Sequence, residues 1–319
     1  MKKSMTVLGL ALAVGIAAFA GGKEVKAEET YTIAYATCTE KIASAVVARK
    51  SVEAYAETIP EIELISLDND DDANKAVENA RTAISMGVDV YCEYWGDTEI
   101  NGTVKEMMEE AGIPVLAIQF PVPDSPLFSI DNDSVGYEMG KALGEYAQEN
   151  WADEDVAVLY LNMTQAGPSF VLRQEAAARA IEELFPGKES AILNTSGSAE
   201  TARQLTTDFL TAHPEQKVLI FAHIDDIAMA AEAAAEAAGR LDDVIISSTG
   251  GVPAVLEDIM SENSRILGTL DYFSADWGHY IMDTALAMAK GEEVPDVINP
   301  VIAFVTKDNM AEYYPEYAE

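Results

Sequence analysis

The feature that most constrains the fold of this chain is an alternation of short apolar runs with segments of helical periodicity. In the first part of the sequence the pattern predicts strands and helices in turn, with strands at 31–37, 61–67, 88–94 and 114–119 and helices at 41–58, 73–86 and 99–111. Repeated units of strand, helix and strand form parallel sheets that helices cover on both faces. The first part of the chain is therefore predicted to form one doubly wound lobe.

A proline-rich stretch at 121–126 interrupts this alternation. The pattern then resumes, with strands at 155–161, 190–194, 217–222, 243–248, 265–271 and finally near 297–305, and helices at 134–149, 169–185, 199–212, 226–238 and 275–289. We interpret the interruption as a crossing between two lobes. The predicted fold class is α/β, with two doubly wound parallel-sheet lobes, and the absence of a short internal repeat excludes solenoids.

The composition supports two compact lobes and excludes several classes of protein. A chain of 319 residues, 49% of them hydrophobic, exceeds the size at which a single core stops growing. Its 55 acidic and 20 basic residues give a net charge of −35, which repels nucleic acid and anionic lipid. Three dispersed histidines and two cysteines form no metal-binding pattern, so no metal or other cofactor is predicted. A disulfide between Cys38 and Cys92 is left open, because they fall in strands expected to be neighbours.

The first 27 residues have the pattern of a secretory signal peptide. A basic start is followed by an apolar run at 5–20, which is short for a membrane span. Val25 and Ala27 favour cleavage after Ala27, and no cysteine follows the apolar run to carry a lipid anchor. We therefore predict export to the periplasm or the extracellular space. The alternative is an uncleaved anchor helix.

Several motifs together resemble one family of proteins. They are Asp131-Asn132 followed by Gly136 and Gly140, Arg173 followed by Ala176-Ala177, the run from Asp225 to Met229, and Gly250-Gly251-Val252-Pro253. Over residues 31–305 the chain is similar to the ribose- and galactose-type periplasmic binding proteins. The resemblance implies the type I periplasmic binding protein fold, with a three-segment hinge. It implies an N-terminal lobe of 28–128 plus 273–294 and a C-terminal lobe of 129–272 plus 295–319.

The resemblance also implies a ligand site between the lobes. Arg173 is the first candidate, because a guanidinium donates two parallel hydrogen bonds to hydroxyls or to a carboxylate, although a surface ion pair is its alternative role. Asp225 follows a strand and is expected either to accept hydrogen bonds from the ligand or to cap a helix. The remaining candidates are aromatic rings that could stack on a ligand or belong to the core, and nearby polar side chains: Tyr94, Trp95, Phe120, Tyr272, Gln119, Gln204, Cys38 and Thr39. Asp131, Asn132 and Gly136 are expected to brace the hinge.

These expectations point to an exported solute-binding protein of an ABC importer. It would act as a monomer without catalysis, deliver its ligand to a membrane permease, and bind a monosaccharide or related polyol. Ile224 and Gly250 stand where the sugar binders have Asn and Asp, which leaves a nucleoside, a deoxy sugar or a furanosyl compound open. One alternative is a ligand-sensing receptor component for chemotaxis or a sensor kinase. Another is a secreted hydrolase, although the G-x-S-x-G and H-E-x-x-H motifs are absent from the sequence.

Overall fold

The computed structural model describes residues 30–317, so the predicted signal segment 1–27 lies outside the described part of the chain. Two six-stranded sheets organise the described residues. The first contains β1 (Tyr31–Thr37), β2 (Ile62–Asp68), β3 (Val90–Glu93), β4 (Val115–Ile118), β5 (Leu127–Phe128) and β11 (Val297–Ile298). The second contains β6 (Val156–Asn162), β7 (Glu189–Asn194), β8 (Lys217–Ala222), β9 (Val244–Thr249), β10 (Ile266–Asp271) and β12 (Ala303–Thr306).

Both sheets have the strand order of doubly wound folds. The first runs β11-β5-β4-β3-β1-β2 and is parallel throughout. The second runs β12-β10-β9-β8-β6-β7, and its one antiparallel pair is β10 with the edge strand β12. The helices are α1 (Ala43–Ala56), α2 (Ala73–Met86), α3 (Thr98–Glu110), α4 (Asn132–Asn150), α5 (Pro168–Leu184), α6 (Ala199–Ala212), α7 (Asp225–Ala237), α8 (Pro253–Met260), α9 (Trp277–Ala289) and α10 (Met310–Tyr313). The predicted fold class is confirmed.

Side-chain caps explain why several helices begin where they do. The carboxylate of Asp72 accepts hydrogen bonds from two backbone N–H groups at the start of α2, and Asp97 and Asp131 do the same for α3 and α4. Such acceptors satisfy donors that have no partner within the helix. Two elements were not predicted: β5, which directly follows the proline-rich stretch 121–126, and α8, which begins at Pro253.

The chain passes between the sheets three times, and the third crossing corrects a predicted lobe boundary. The single strand predicted near 297–305 is two strands in two different sheets. Because β11 pairs with β5, residues 297–298 belong to the first lobe and not to the C-terminal lobe. Pro300 follows closely and has no N–H to extend the ladder. The chain therefore crosses after Ile298 and not at residue 294.

Helices cover both faces of each sheet and define three apolar clusters. One cluster packs α2 and α3 on the first sheet, and a second packs α6, α7 and α8 on the second sheet. The largest joins α1 and α9 of the first lobe to α4 and α5 of the second without interruption. Between residues 30 and 317, none of the helices has both the length and the apolarity that a membrane crossing needs.

Two features of the first lobe concern titratable groups. Cys38 and Cys92 are both free thiols, so the disulfide left open by the sequence is not formed. Glu93 ends β3 with its side chain fully buried, where its carboxyl group accepts a hydrogen bond from Asn69 Nδ2 at 3.1 Å. Burial raises the pKa of Glu93 from about 4.5 to about 8. At neutral pH this carboxyl group is therefore mostly protonated.

Candidate functional site

The carboxyl ends of strands from both sheets meet at a cavity of about 160 Å³ between the lobes. Ligands in open parallel sheets bind at this edge, because the loops and helix starts converge there. The first lobe contributes Ser44, Tyr94, Gln119, Phe120 and Trp277 to its wall. The second lobe and the connecting segments contribute Ile130, Asn132, Ser169, Phe170, Arg173, Ile224 and Tyr272. Of the predicted site residues, the structure brings together Arg173, Tyr94, Gln119, Phe120 and Tyr272.

Arg173 is the one charged side chain on this wall among the described residues. It lies on α5 and is only 5% exposed. Its Nε and Nη2 donate to Asn132 Oδ1 at 3.1 and 2.6 Å, and its Nη1 donates to Thr249 Oγ1 at 3.1 Å. Burial lowers the pKa of Arg173, but an arginine pKa starts far above neutrality, so the guanidinium stays charged. Neutral partners therefore fix a buried cation at the cavity.

Two glycines of α4 determine how closely α5, and with it Arg173, approaches. A Cβ atom added at Gly136 would lie 1.9 Å from the carbonyl oxygen of Arg173. One added at Gly140 would lie 2.2 Å from the carbonyl oxygen of Ala177. The four-residue spacing places both glycines on one face of α4. Gly136, which was predicted to brace the hinge, and Gly140 thus permit a close contact between two helices and support the position of the guanidinium.

Aromatic rings form much of the remaining wall. Tyr94 and Phe120 lie with their ring centroids 6.1 Å apart, and Tyr272 and Trp277 lie 6.0 Å apart. Trp277 Nε1 donates to the backbone oxygen of Tyr272 at 2.8 Å, which holds these two rings together. Phe170 lies under the Arg173 guanidinium, 5.2 Å from its central carbon. Rings of this kind bind the apolar face of a small cyclic ligand while polar groups orient its edge.

Gln119 places an unused donor at the cavity. Its φ of 62° lies in the left-handed region, which non-glycine residues rarely adopt and which often marks a functional position. Its backbone N–H donates to Phe128 O at 2.6 Å. The side-chain Nε2 is buried and has no protein acceptor within the described residues. A ligand acceptor in the cavity would satisfy it.

The structure places the other predicted ligand residues outside this cavity. Asp225 is turned inward, where its carboxylate accepts hydrogen bonds from Ser248 Oγ, Thr269 Oγ1 and the backbone N–H of Val252 at 2.6–2.9 Å. Burial raises the pKa of Asp225. The carboxylate therefore joins the start of α7 to β9, β10 and the loop before α8, with both oxygens accepting hydrogen bonds, and Asp225 is not part of the cavity wall.

The other candidates lie in an adjacent pocket, in the interior of the first lobe or on the surface. Trp95 and Cys38 line an adjacent pocket of about 600 Å³ in the first lobe, which shares Tyr94 and Phe120 with the interlobe cavity. Thr39 is buried, and its hydroxyl accepts a hydrogen bond from the backbone N–H of Lys41. Gln204 lies on the exposed face of α6, where its amide nitrogen donates to Asp208 Oδ1 at 2.8 Å.

Asp131, which was predicted to brace the hinge, caps the start of α4. Asn132 was expected at the hinge as well, but it also lines the cavity and accepts from Arg173. A hinge assignment alone therefore understates its role.

Some lining residues were not predicted. Ser169 and Phe170 precede Arg173 by four and three residues on α5, so helical periodicity from Arg173 was a signal that could have found them. Ser44 and Trp277 come from helices far apart in the sequence, and only the tertiary structure reveals their positions.

His223 lies next to the site but is not part of its wall. Its ring stacks on Phe170 at 4.7 Å and meets Phe221 edge-on at 5.4 Å. Neither ring nitrogen has a partner among the described residues. Burial, and secondarily the charge of Arg173, lower the pKa of His223 to about 2. The imidazole is therefore neutral at ordinary pH. Separately, residues 30–317 include no cluster of His, Cys, Asp and Glu able to hold a metal ion.

Comparison with known proteins gives a consistent result. Residues 33–293 match the model of a family described as periplasmic binding protein domain. A protein of Rhizobium meliloti named "Putative rhizopine-binding protein" is 26% identical over 325 residues, which is 98% of this chain and 99% of the relative.

Two solved structures share the fold over most of the chain. One is an ABC transporter periplasmic solute-binding protein from Actinobacillus succinogenes with bound D-allose, which has a TM-score of 0.76 at 23% identity. The match covers 89% of this chain and 100% of that protein. An ABC transporter solute-binding protein from Bacillus halodurans, with bound myo-inositol, has a TM-score of 0.75 at 21% identity and matches 92% of this chain over 100% of its own.

Proposed function

This chain belongs to the periplasmic binding protein domain family, and we propose that it is the exported solute-binding component of an ABC importer. Its ligand is a small polar molecule of the monosaccharide and polyol class, held in the interlobe cavity. The proteins with similar folds bind D-allose and myo-inositol, which supports this ligand class. Members of the family bind solutes without transforming them, so the secreted-hydrolase alternative is abandoned.

The observation that carries the proposal is a cavity whose wall comes from both lobes. Gln119 and Phe120 approach from the first lobe, and Arg173 and Phe170 approach from the second. A ligand that contacts both walls stabilises the closed arrangement relative to the open one, in proportion to the contacts that only closure allows. The three segments between the sheets serve as the hinge. A membrane permease then recognises the closed form.

The cellular setting follows from the same proposal. Residues 1–27 direct export and are removed, and the mature protein acts as a monomer in the periplasm or outside the cell. A sensing receptor would use the same cavity, so affinity purification against membrane partners distinguishes the two roles. Recovery of a transport permease supports import, whereas recovery of a chemoreceptor or sensor kinase supports sensing.

Titration calorimetry and thermal unfolding of residues 28–319 test the ligand site. The panel contains D-allose, D-ribose, L-arabinose, myo-inositol and the sugar acids D-glucuronate, D-gluconate, D-galacturonate and D-ribonate. A ligand at one hundred times its Kd adds about 2.7 kcal/mol to the free energy of unfolding, which is measurable as a raised Tm. Scattering curves in the presence of that ligand should show a more compact molecule.

A matched pair of substitutions locates the site. Gln119→Asn shortens an amide at the cavity and keeps a residue type that tolerates a positive φ. Gln204→Asn makes the same change on the exposed face of α6. We expect Gln119→Asn alone to weaken binding, by about tenfold, because its buried Nε2 donor is displaced. Equal affinities of the two variants would place the site elsewhere.

A further inference from the structure

We infer that the ligand carries a carboxylate, which pairs with Arg173, so that the solute is a sugar acid or another polyhydroxy acid and not a neutral sugar. This inference rests on the proposed function, since it assigns the chemistry of the same interlobe cavity. Three observations carry it: the unpaired charge of Arg173, the unused donors of Arg173 and Gln119 on the cavity wall, and the size and aromatic lining of the cavity.

The guanidinium of Arg173 has no carboxylate partner within the described residues. It carries five N–H donors, and Asn132 and Thr249 accept three of them. Both partners are neutral. An unpaired buried charge is costly, and this chain has 55 acidic residues from which a partner could have come. The two remaining donors and the positive charge are therefore available to a ligand anion.

Buried carboxylates of the same lobe are committed to other donors. Asp225 accepts from Ser248 and Thr269, and Asp271 accepts from the hydroxyl of Tyr314 and from the backbone N–H of Phe273. Neither carboxylate belongs to the wall of the cavity. They do not provide the missing counterion for Arg173.

Gln119 adds a second unused donor to the wall, beside the open donors of Arg173. Gln119 Nε2 is a buried donor without a partner. The Asn132 amide is fully used, since its oxygen accepts from Arg173 and its Nδ2 donates to Ile130 O at 3.3 Å. No aspartate or glutamate in the described chain lines the cavity. A carboxylate brings only acceptors, about four lone-pair positions in all, and it brings the negative charge that the hydroxyls of a neutral polyol lack.

The cavity also limits the size of the acid. Its volume of about 160 Å³ is well below the roughly 300–1,000 Å³ of sites for drug-sized ligands. Tyr272 and Trp277 on one side, with Tyr94 and Phe120 on another, provide ring faces for the apolar side of a single sugar ring. A guanidinium fork binds a carboxylate through two parallel hydrogen bonds. The fitting solute is thus an acid with one sugar-sized skeleton.

Calorimetry with pairs of ligands that differ only in one oxidised carbon tests the inference. The pairs are D-glucose with D-glucuronate and with D-gluconate, D-galactose with D-galacturonate, and D-ribose with D-ribonate, each titrated into residues 28–319. We expect the acid of at least one pair to bind at least about 30-fold more tightly than its neutral partner. Arg173→Gln should abolish that difference. Arg179→Gln is the matched control, because Arg179 lies on the same helix but is exposed and paired with Asp133 at 2.8 Å.

Each outcome bears on the inference. If a neutral sugar binds as tightly as its acid, or if Arg173→Gln weakens both members of a pair equally, the carboxylate inference is overturned while the proposed function stands. If no sugar, polyol or acid of the panel binds, the inference and the proposed function fail together.

A readout without ligand is independent of the panel. Arg173→Gln should leave the Tm of the empty protein unchanged or raised, because it removes a buried charge that lacks a protein counterion. A Tm lower by more than about 5 °C would identify Arg173 as a structural residue and overturn the inference.

Discussion

Replacing Gly136 with alanine should separate α4 from α5 and disturb the ligand site at the same time. The new Cβ would lie 1.9 Å from the carbonyl oxygen of Arg173, 2.6 Å from its carbonyl carbon and 2.9 Å from its Cα. Carbon contacts below about 3.0 Å are essentially absent from folded proteins, so α5 must move by roughly 1 Å. The clashing atoms are backbone atoms and cannot rotate away. We expect a cost at the upper end of the usual range for overpacking, about 3 kcal/mol.

Urea unfolding followed by circular dichroism measures this cost. Gly102→Ala is the matched control, because an added Cβ in α3 meets no atom within 4 Å and alanine favours a helix by up to about 1 kcal/mol over glycine. Gly136→Ala should lower the urea midpoint, and Gly102→Ala should keep or raise it. Affinity for the cognate solute should fall by about tenfold in Gly136→Ala alone, because Arg173 moves with its helix. An unchanged midpoint and affinity for Gly136→Ala would refute the argument that this glycine is required for the helix contact.

Three further predictions concern titratable groups. In the native protein Glu93 stays protonated up to about pH 8, whereas in the unfolded chain it ionises near pH 4.5, so its contribution to stability falls as pH rises between these values. Urea midpoints of Glu93→Gln should fall less steeply over this range than those of the exposed control Glu63→Gln, and parallel curves would contradict the burial argument. His223 has a lowered pKa, so its contribution to stability is lost as pH falls below about 6.5. His223→Leu should therefore lose less Tm than the natural protein between pH 7 and pH 4. Equal losses of Tm in the two proteins would contradict this. Because Cys38 and Cys92 are free, a reducing agent should leave the Tm unchanged, and a drop would reveal a disulfide.

Much of the architecture follows from local properties of the sequence. Apolar runs alternating with helical segments predict a parallel sheet wherever strands are buried on both faces, and β6, all of whose residues are buried, is an example. Asp72, Asp97 and Asp131 mark helix starts because a short carboxylate side chain reaches the free N–H groups of the first turn. These interactions connect residues two or three positions apart, so a single sequence contains them.

The final strand shows where local reasoning ends. The apolar run near 297–305 predicts one strand, but Val297–Ile298 pairs with β5 and Ala303–Thr306 pairs with β10. Which sheet edge accepts a short strand depends on the edges that the rest of the chain leaves unpaired. That information is distributed over the whole fold and is not present in the run itself.

The site divides in the same way. The resemblance to a family placed Arg173, Tyr94, Gln119, Phe120 and Tyr272 near a ligand, and all five line the cavity. It placed Asp225 there too, although Ser248 and Thr269, more than twenty residues away in sequence, take up its carboxylate. The orientation of a polar side chain is decided by the partners that folding brings within hydrogen-bond distance.

The sequence alone determined the order of strands and helices, the two-lobed class and a short set of candidate binding residues, because periodicity, capping and motif spacing are properties of neighbouring residues. Only the tertiary structure decided that Arg173 is a buried cation without a carboxylate partner, that Gln119 holds an unused donor and that Ser44 and Trp277 complete the wall. Charge pairing and cavity shape depend on distances between residues remote in the chain, and those distances exist only once the chain is folded.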